Sequence, residues 1–209
     1  MKVFVLNGWV ASPDAWRACM FPKDRIFDYI EALDGLARDA FMAEDRSVLV
    51  GWSMGGSIAL GLAAEAPRKV AGLVLVSATP RMMAAKGWAG MSPGRLRALE
   101  YGFTHGLGAE GPYVKDTPQR MKRGLDYLEQ TDLRMDLIDL MAKGPLDFPV
   151  YIFQSERDAI TRASNAEFLK AVFPEAVCEI VPGSDHALPV SIPERIDAAV
   201  ADCLIECKV

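Results

Sequence analysis

Apolar positions along the chain fall into short continuous runs separated by longer stretches of helical spacing. The runs Val3–Leu6, Arg25–Tyr29, Val48–Val50, Leu73–Val76, Val150–Phe153 and Val177–Val181 read as strands, most of them apolar on every residue. A strand of that kind is buried on both faces. Between them, Ile30–Phe41, Met54–Ala66, Ala163–Val172 and Ile192–Ile205 carry helical patterns, the last with Ile192, Ile196, Ala199, Val200 and Cys203 on one face. Alternating strand and helix predicts an α/β fold: a mostly parallel sheet of about six strands with helices on both sides.

The alternation stops between residues 81 and 146, where helical patterns occur at Arg95–Tyr101, Pro118–Gln130 and Leu133–Met141 around the glycine-rich stretch GFTHGLGAEGP. This predicts a helical lid, 81–146, inserted in a core made of 1–80 and 147–209. Charge separates the two parts. The insert holds ten Lys and Arg against eight Asp and Glu, while the whole chain has a formal charge of -5. The insert is thus near +2 and the core near -7.

That balance gives no overall basic face, so a general nucleic-acid partner is excluded. The opening MKVFVLNGWV has only four consecutive apolar residues before Asn7, too few for a signal-peptide core or a membrane span, and the expectation is a cytoplasmic protein without membrane contact. Cys19 and Cys178 stand alone. Cys203 and Cys207, four apart on the final helix, read as ordinary helix cysteines, and no metal site is expected. Gly106–Gly111 formally matches G-x-G-x-x-G, but no strand precedes it, so a dinucleotide site is rejected.

The chemistry concentrates at Gly51-Trp52-Ser53-Met54-Gly55, a G-x-S-x-G sequence between a strand and the small-residue helix start GGSIALGLAAEA. A serine on so sharp a turn stands clear of the packing and faces a cleft. Serine needs a base, usually a histidine oriented by a carboxylate. The chain has two histidines. His186, in VPGSDHALP after the last strand, is placed to reach over the sheet edge; His105, in the lid loop, has no strand to fix it. Asp158, in QSERDAI after the fifth strand, is the expected acid, and Asp185 competes by adjoining His186. The resulting order, Ser53, Asp158, His186, is that of the α/β-hydrolases rather than of the unrelated serine proteases. The turn Asn7-Gly8-Trp9 after the first strand offers the N–H of Trp9, and the N–H of Met54 offers a second donor, for an oxyanion. Such a triad needs no cofactor.

Taken together, NGW, GWSMGG, the Asp158 loop and DHALP make the sequence resemble the α/β-hydrolase superfamily. Within it the sequence resembles the pimeloyl-acyl-carrier-protein methyl ester esterases of biotin synthesis, through GWSMGG, Trp88–Pro93 after LVLVSATP, Gly124–Leu128, Thr131–Arg134, His186-Ala187 and Ile192-Pro193. The resemblance implies a serine carboxylesterase whose substrate is an acyl ester carried on acyl carrier protein, and the chain is expected to be a monomer. It implies that Trp9, Ser53, Met54, Phe103 and His186 line the substrate site. It also implies that basic lid residues, drawn from Arg95, Arg97, Arg120, Lys122, Arg123 and Arg134, meet the acidic carrier. Two departures accompany it: Asn7-Gly8 stands where HG is usual, and the chain begins at the strand that is normally third, so the sheet should be smaller. A generalist hydrolase of short esters, lactones or thioesters is the nearest rival, and a non-catalytic ligand-binding member of the fold a more distant one.

Overall fold

The computed structural model describes residues 1–106 and 111–206. Six strands form one sheet: β1 Lys2–Leu6, β2 Arg25–Phe27, β3 Ser47–Trp52, β4 Val70–Val76, β5 Val150–Ser155 and β6 Val177–Val181. Their spatial order is β2-β1-β3-β4-β5-β6, and every neighbouring pair is parallel. The expected α/β fold with a parallel six-stranded sheet is therefore present. Strand β3 runs longer than its purely apolar segment because ladder pairing carries Ser47, opposite Lys2 and Val70, and Trp52, opposite Val76, into the sheet.

Nine helices accompany the strands among the described residues: α1 Tyr29–Leu33, α2 Leu36–Ala43, α3 Met54–Glu65, α4 Pro93–Thr104, α5 Pro118–Gln130, α6 Arg134–Ala142, α7 Ala163–Val172, α8 Leu188–Ser191 and α9 Pro193–Glu206. Two of the sequence expectations change here. The second strand ends at Phe27 rather than Tyr29, because Asp28 caps α1. Its Oδ1 accepts from the N–H of Ile30 and Glu31, both at 2.8 Å, while Glu31 Oε2 accepts from Asp28 N at 3.0 Å. This reciprocal cap fixes a helix start at the place where the apolar pattern alone continues. The single helix expected over Ile30–Phe41 is two, divided at Gly35, whose φ of +88° is left-handed and ends α1.

Side-chain alternation on the strands divides the core in two. Phe4, Leu6, Leu49, Leu73, Leu75 and Ile152 face α2, α3, α6 and α7. Val3, Val5, Val48, Val50, Val74 and Val76 face the 3-10 turn Pro13–Trp16, α8 and α9. Period-2 alternation with both faces apolar is what makes these strands read as unbroken hydrophobic runs. Strand β6 differs: it is one of the two edges, and Val177 is 55% exposed.

The stretch 81–146 is not uniform in its packing. Leu137 and Leu140 of α6 join the core beneath α3. Leu96 and Phe103 of α4, with Met121, Leu125 and Leu128 of α5, instead close a third apolar cluster with Trp9, Tyr29 and Met54. Among the described helices of this stretch, α4 and α5 thus lie over the loops at the C-terminal ends of the strands. The four inner positions of Gly106–Gly111, and Cys207, lie outside the described residues. Among the described residues no helix is long and apolar enough to cross a membrane.

Candidate active site

Crevices beyond the carboxyl ends of parallel strands are where an α/β sheet places its ligands, and four loops meet there. Gly8-Trp9 follows β1, Ser53 follows β3, Asp158 follows β5 and His186 follows β6. Ser53 has φ 56° and ψ −120°, a conformation that non-glycine residues rarely adopt. The strain is held by close packing below it: Ser53 N donates to Val76 O at 2.9 Å, and a Cβ on Gly55 would collide with the carbonyl of Leu6. Gly51 is equally constrained, since a Cβ there would lie 2.6 Å from Gly55 O. The glycines of the motif are thus needed for the approach of α3 to β1 and β3.

Asp158 and His186 are brought together. Asp158 Oδ2 lies 2.8 Å from His186 Nδ1, and the two side chains are 0% and 8% exposed. Asp158 is also held by its own loop: Oδ1 accepts from Ile160 N at 2.8 Å and Thr161 N at 2.9 Å, and Oδ2 lies 2.7 Å from Thr161 Oγ1 and 3.2 Å from Gln154 Nε2. Burial pushes the Asp158 carboxyl up. The charge of a protonated His186 and the hydrogen bonds from His186, Thr161 and Ile160 outweigh it and hold the group below the ordinary carboxylate range. Asp185 does not compete for the imidazole, because its carboxylate accepts from Ala187 N at 3.0 Å. Trp52 Nε1 donates to His186 O at 2.9 Å, tying the histidine loop to the end of β3.

Ser53 and His186 line one cavity, with Gly8, Trp9, Phe103 and Tyr113 among its other walls. It encloses about 20 Å³ of solvent-accessible space, room for about one water. The walls are mainly apolar: Trp9 and Phe103 meet edge to face with centroids 5.6 Å apart, and Phe103 lies 5.2 Å from Tyr113. The sequence reading missed Trp52, Tyr113, Met82, Leu96, Leu99, Leu128 and Ile160 as wall residues. Leu96, Leu99 and Phe103 share one face of α4, a spacing that marks a buried stripe without saying what it covers. Met54 departs from the expectation. Its side chain is fully buried in the cluster of Trp9 and Met121 and does not line the cavity. Its N–H, first in α3, has no intrahelical acceptor. Among the described residues neither this N–H nor that of Trp9 is engaged by another group.

Asn7, where histidine is usual, is also accounted for. It is fully buried, its Oδ1 accepts from Trp16 Nε1 at 2.8 Å and its Nδ2 donates to Ala11 O at 3.3 Å. The side chain braces the turn and leaves Gly8-Trp9 to face the cavity. His105 is exposed, stacked on Tyr101 with centroids 3.8 Å apart, and takes no part in the cavity.

The six basic residues expected to meet a carrier are largely engaged within the chain. Arg120 bonds Asp116 at 2.8 Å and Asp28 at 2.9 Å, Arg123 pairs with Asp34, and Lys122 with Asp126 at 2.7 Å. Arg97 bridges Glu129 at 3.0 Å, Arg134 holds Asp132 at 2.8 Å, and Arg95 donates to the carbonyl of Ala159 at 3.0 Å. Arg120 and Arg123 thereby fasten α5 to the two ends of α1. Trp9 completes that seam: its Nε1 donates to Met121 O at 3.2 Å, and a Cβ on Gly124 would lie 2.6 Å from the same nitrogen.

With this geometry in view, a model of the alpha/beta hydrolase family matches residues 3–200. The chain belongs to the alpha/beta hydrolase family. Among curated relatives it is 29% identical to a pimeloyl-[acyl-carrier protein] methyl ester esterase from Nitrosomonas europaea, over 91% of this chain and 90% of that one. It is 26% identical to the protein of the same name from Neisseria meningitidis serogroup B, over 96% and 92% of the two chains. Among solved structures, an esterase from Exiguobacterium antarcticum superposes with a TM-score of 0.75 at 19% identity, covering 98% of this chain and 92% of that one. The N-acyl homoserine lactone degrading enzyme Est816 gives 0.69 at 18% identity, covering 97% and 92%. At those identities the structural neighbours speak for the fold, which is the one the sequence predicted.

Proposed function

We propose that the chain is a serine carboxylesterase that hydrolyses the methyl ester of a pimeloyl group carried on acyl carrier protein. The observation that carries the chemistry is the buried 2.8 Å contact of His186 with Asp158, set beside a strained Ser53 on a shared cavity. In this reading Ser53 Oγ attacks the ester carbonyl as its proton passes to His186 Nε2, and Asp158 orients the imidazole and balances its charge. The N–H groups of Trp9 and Met54 receive the developing oxyanion. Collapse expels methanol, which takes the proton from His186, and leaves an acyl-Ser53. Water activated by His186 then releases the carboxylic acid and restores the serine. The substrate assignment is supported by the name shared by the curated relatives over nine-tenths of both chains.

A generalist esterase acting on small esters is the second reading, and two observations favour it. Five of the six basic residues offered for carrier contact are paired with carboxylates of the chain itself. The cavity, moreover, has room for little more than a water unless α4 and α5 shift. The test is hydrolysis of pimeloyl-carrier-protein methyl ester beside a chromogenic short-chain ester, at low and high salt, for wild type and Ser53→Ala. Preference for the carrier-linked ester that weakens with salt supports the carrier reading, because steering between exposed charges is screened. Salt-indifferent cleavage of the small ester alone supports the generalist. Activity that survives Ser53→Ala removes both.

A further inference from the structure

The Asp158 loop contains a buried side chain that the reaction outlined above does not use. Thr161 is fully buried, and its Oγ1 lies 2.7 Å from Asp158 Oδ2, the same oxygen that meets His186. The backbone of this turn already satisfies Oδ1 through the N–H groups of Ile160 and Thr161, and almost any residue at position 161 would supply that N–H. The hydroxyl is what threonine adds. Its single proton has two acceptors in reach, Asp158 Oδ2 and, at 3.1 Å, Ser77 O. The charged and nearer oxygen is the stronger acceptor. Gln154 Nε2, buried below, donates to Thr161 O at 3.0 Å and lies 3.3 Å from Oγ1, so the threonine is itself held. Its β-branch leaves few rotamers.

We propose that Thr161 is a positioning residue, its hydroxyl fixing the Asp158 carboxylate so that Oδ2 faces His186. The assignment rests on the serine-esterase reading. Oδ2 has donors in His186 Nδ1 at 2.8 Å, the Thr161 hydroxyl at 2.7 Å and, farther off at 3.2 Å and shared with Thr161 O, Gln154 Nε2, so a rotation of the carboxylate gives up the two short ones. Removing one frees the group to turn and leaves a buried anion short of a donor. The groups facing Asp158 are His186, the phenol of Tyr113 and the Asp185 segment. Arg95 reaches Ala159 O, and Arg157 and Arg162 flank the loop on its exposed side. Loss of the Thr161 donor leaves Asp158 more basic, so the Asp158–His186 pair takes up a proton at higher pH and the acid limb of activity moves up.

The experiment compares Thr161→Val, Thr161→Ser and Thr161→Ala with wild type. It follows kcat/KM on a chromogenic short-chain ester across pH, and the rate at which a fluorophosphonate labels Ser53. Thr161→Val is expected to lower kcat/KM about ten-fold, chiefly through kcat, to raise the acid limb and to slow labelling. Thr161→Ser is expected to restore all three to within about two-fold. Thr161→Ser and Thr161→Ala both lose the methyl and differ by one oxygen, so this pair decides the matter where the valine variant fails to fold. A Val or Ala variant with the wild-type profile overturns the proposal, as does a fall that is even at all pH values and unrelieved by serine. Wild type that neither labels at Ser53 nor hydrolyses ester overturns the esterase reading first, before any variant is compared.

Discussion

The floor and the roof of the cavity are held by different forces. The floor is built from strand-end loops and fixed by short backbone approaches and buried hydrogen bonds: α3 meets β1 at Gly55, Asp158 meets His186 with neither side chain more than 8% exposed, and Trp52 fastens the histidine loop. The roof rests on one face of aromatic and aliphatic side chains and is tied at its margin by ion pairs whose Arg120 and Arg123 side chains are 39% and 48% exposed. A floor of the first kind tolerates little displacement. Water and salt reach the bonds of the second kind, which individually contribute little. On the esterase reading proposed above, the atoms that have to stay in register sit on the rigid part, and the roof that would part to admit an ester is weakly tied.

The largest expected effect breaks the floor chemically. Ser53→Ala should reduce turnover of an ester by about 10³-fold or more, with thermal and denaturant unfolding little changed, since the side chain lost is small. Gly55→Ala breaks the same floor mechanically. The added methyl meets the backbone of Leu6, which has no rotamer with which to retreat, so a loss of about 3 kcal/mol or failure to fold is expected in a urea melt. Wild-type stability in Gly55→Ala would mean that α3 is free to slide and that the elbow is not strained by its packing.

Acid sharpens the comparison next. A carboxyl whose folded pKa lies below its unfolded one gives stability that is complete above the unfolded value, near 3.8 for aspartate, and is lost as pH falls through the folded value. Wild type should therefore lose stability relative to Asp158→Asn below about pH 4, as read from urea midpoints at successive pH values. Asp116 and Asp132 are also held low, but they are present in both proteins, so the difference isolates the floor. Parallel curves would show that the network does not favour the charged form.

How much of this the sequence revealed follows the same division. The elbow at Ser53 was legible because its requirements are local: apolar run, small residues on either side, helix start. The four inner strands were legible because both faces of the sheet are apolar there, and Asp158 and His186 because each follows a strand by a few residues. The split at Gly35 and the cap at Asp28 were written in the sequence too, in D-x-x-E and a lone glycine, but the helical spacing of Ile30–Phe41 overrode them. The partners of Arg120 and Arg123 were not legible. Asp28 and Asp34 lie about 90 positions away, and only the docking of α5 on α1 brings them near. Tyr113 and Thr161 escaped for a similar reason, since neither stands in a periodic segment and each acquires a role only from what the fold sets against it.

The roof offers the two smallest effects, and their order is informative. Arg120→Ala removes two carboxylate contacts, one of them to an Asp116 side chain only 9% exposed that retains Tyr29 Oη and Thr117 N as donors. A loss of about 1 to 2 kcal/mol is expected by urea titration. Lys122, 68% exposed and paired with Asp126 along one helix face, should change stability by less than about 0.5 kcal/mol when replaced by alanine. That small cost is why Lys122 is the better probe of a carrier: a pair so weakly held is the one an incoming acidic surface can redirect. If the carrier docks on the roof, Lys122→Ala should raise KM for the carrier-linked ester a few-fold at low salt and scarcely at all at high salt, with KM for a small ester unmoved. An unchanged KM for both esters would leave Lys122 with its intrahelical pair and no part in docking, beside Arg120 and Arg123 as the ties of α5 to α1.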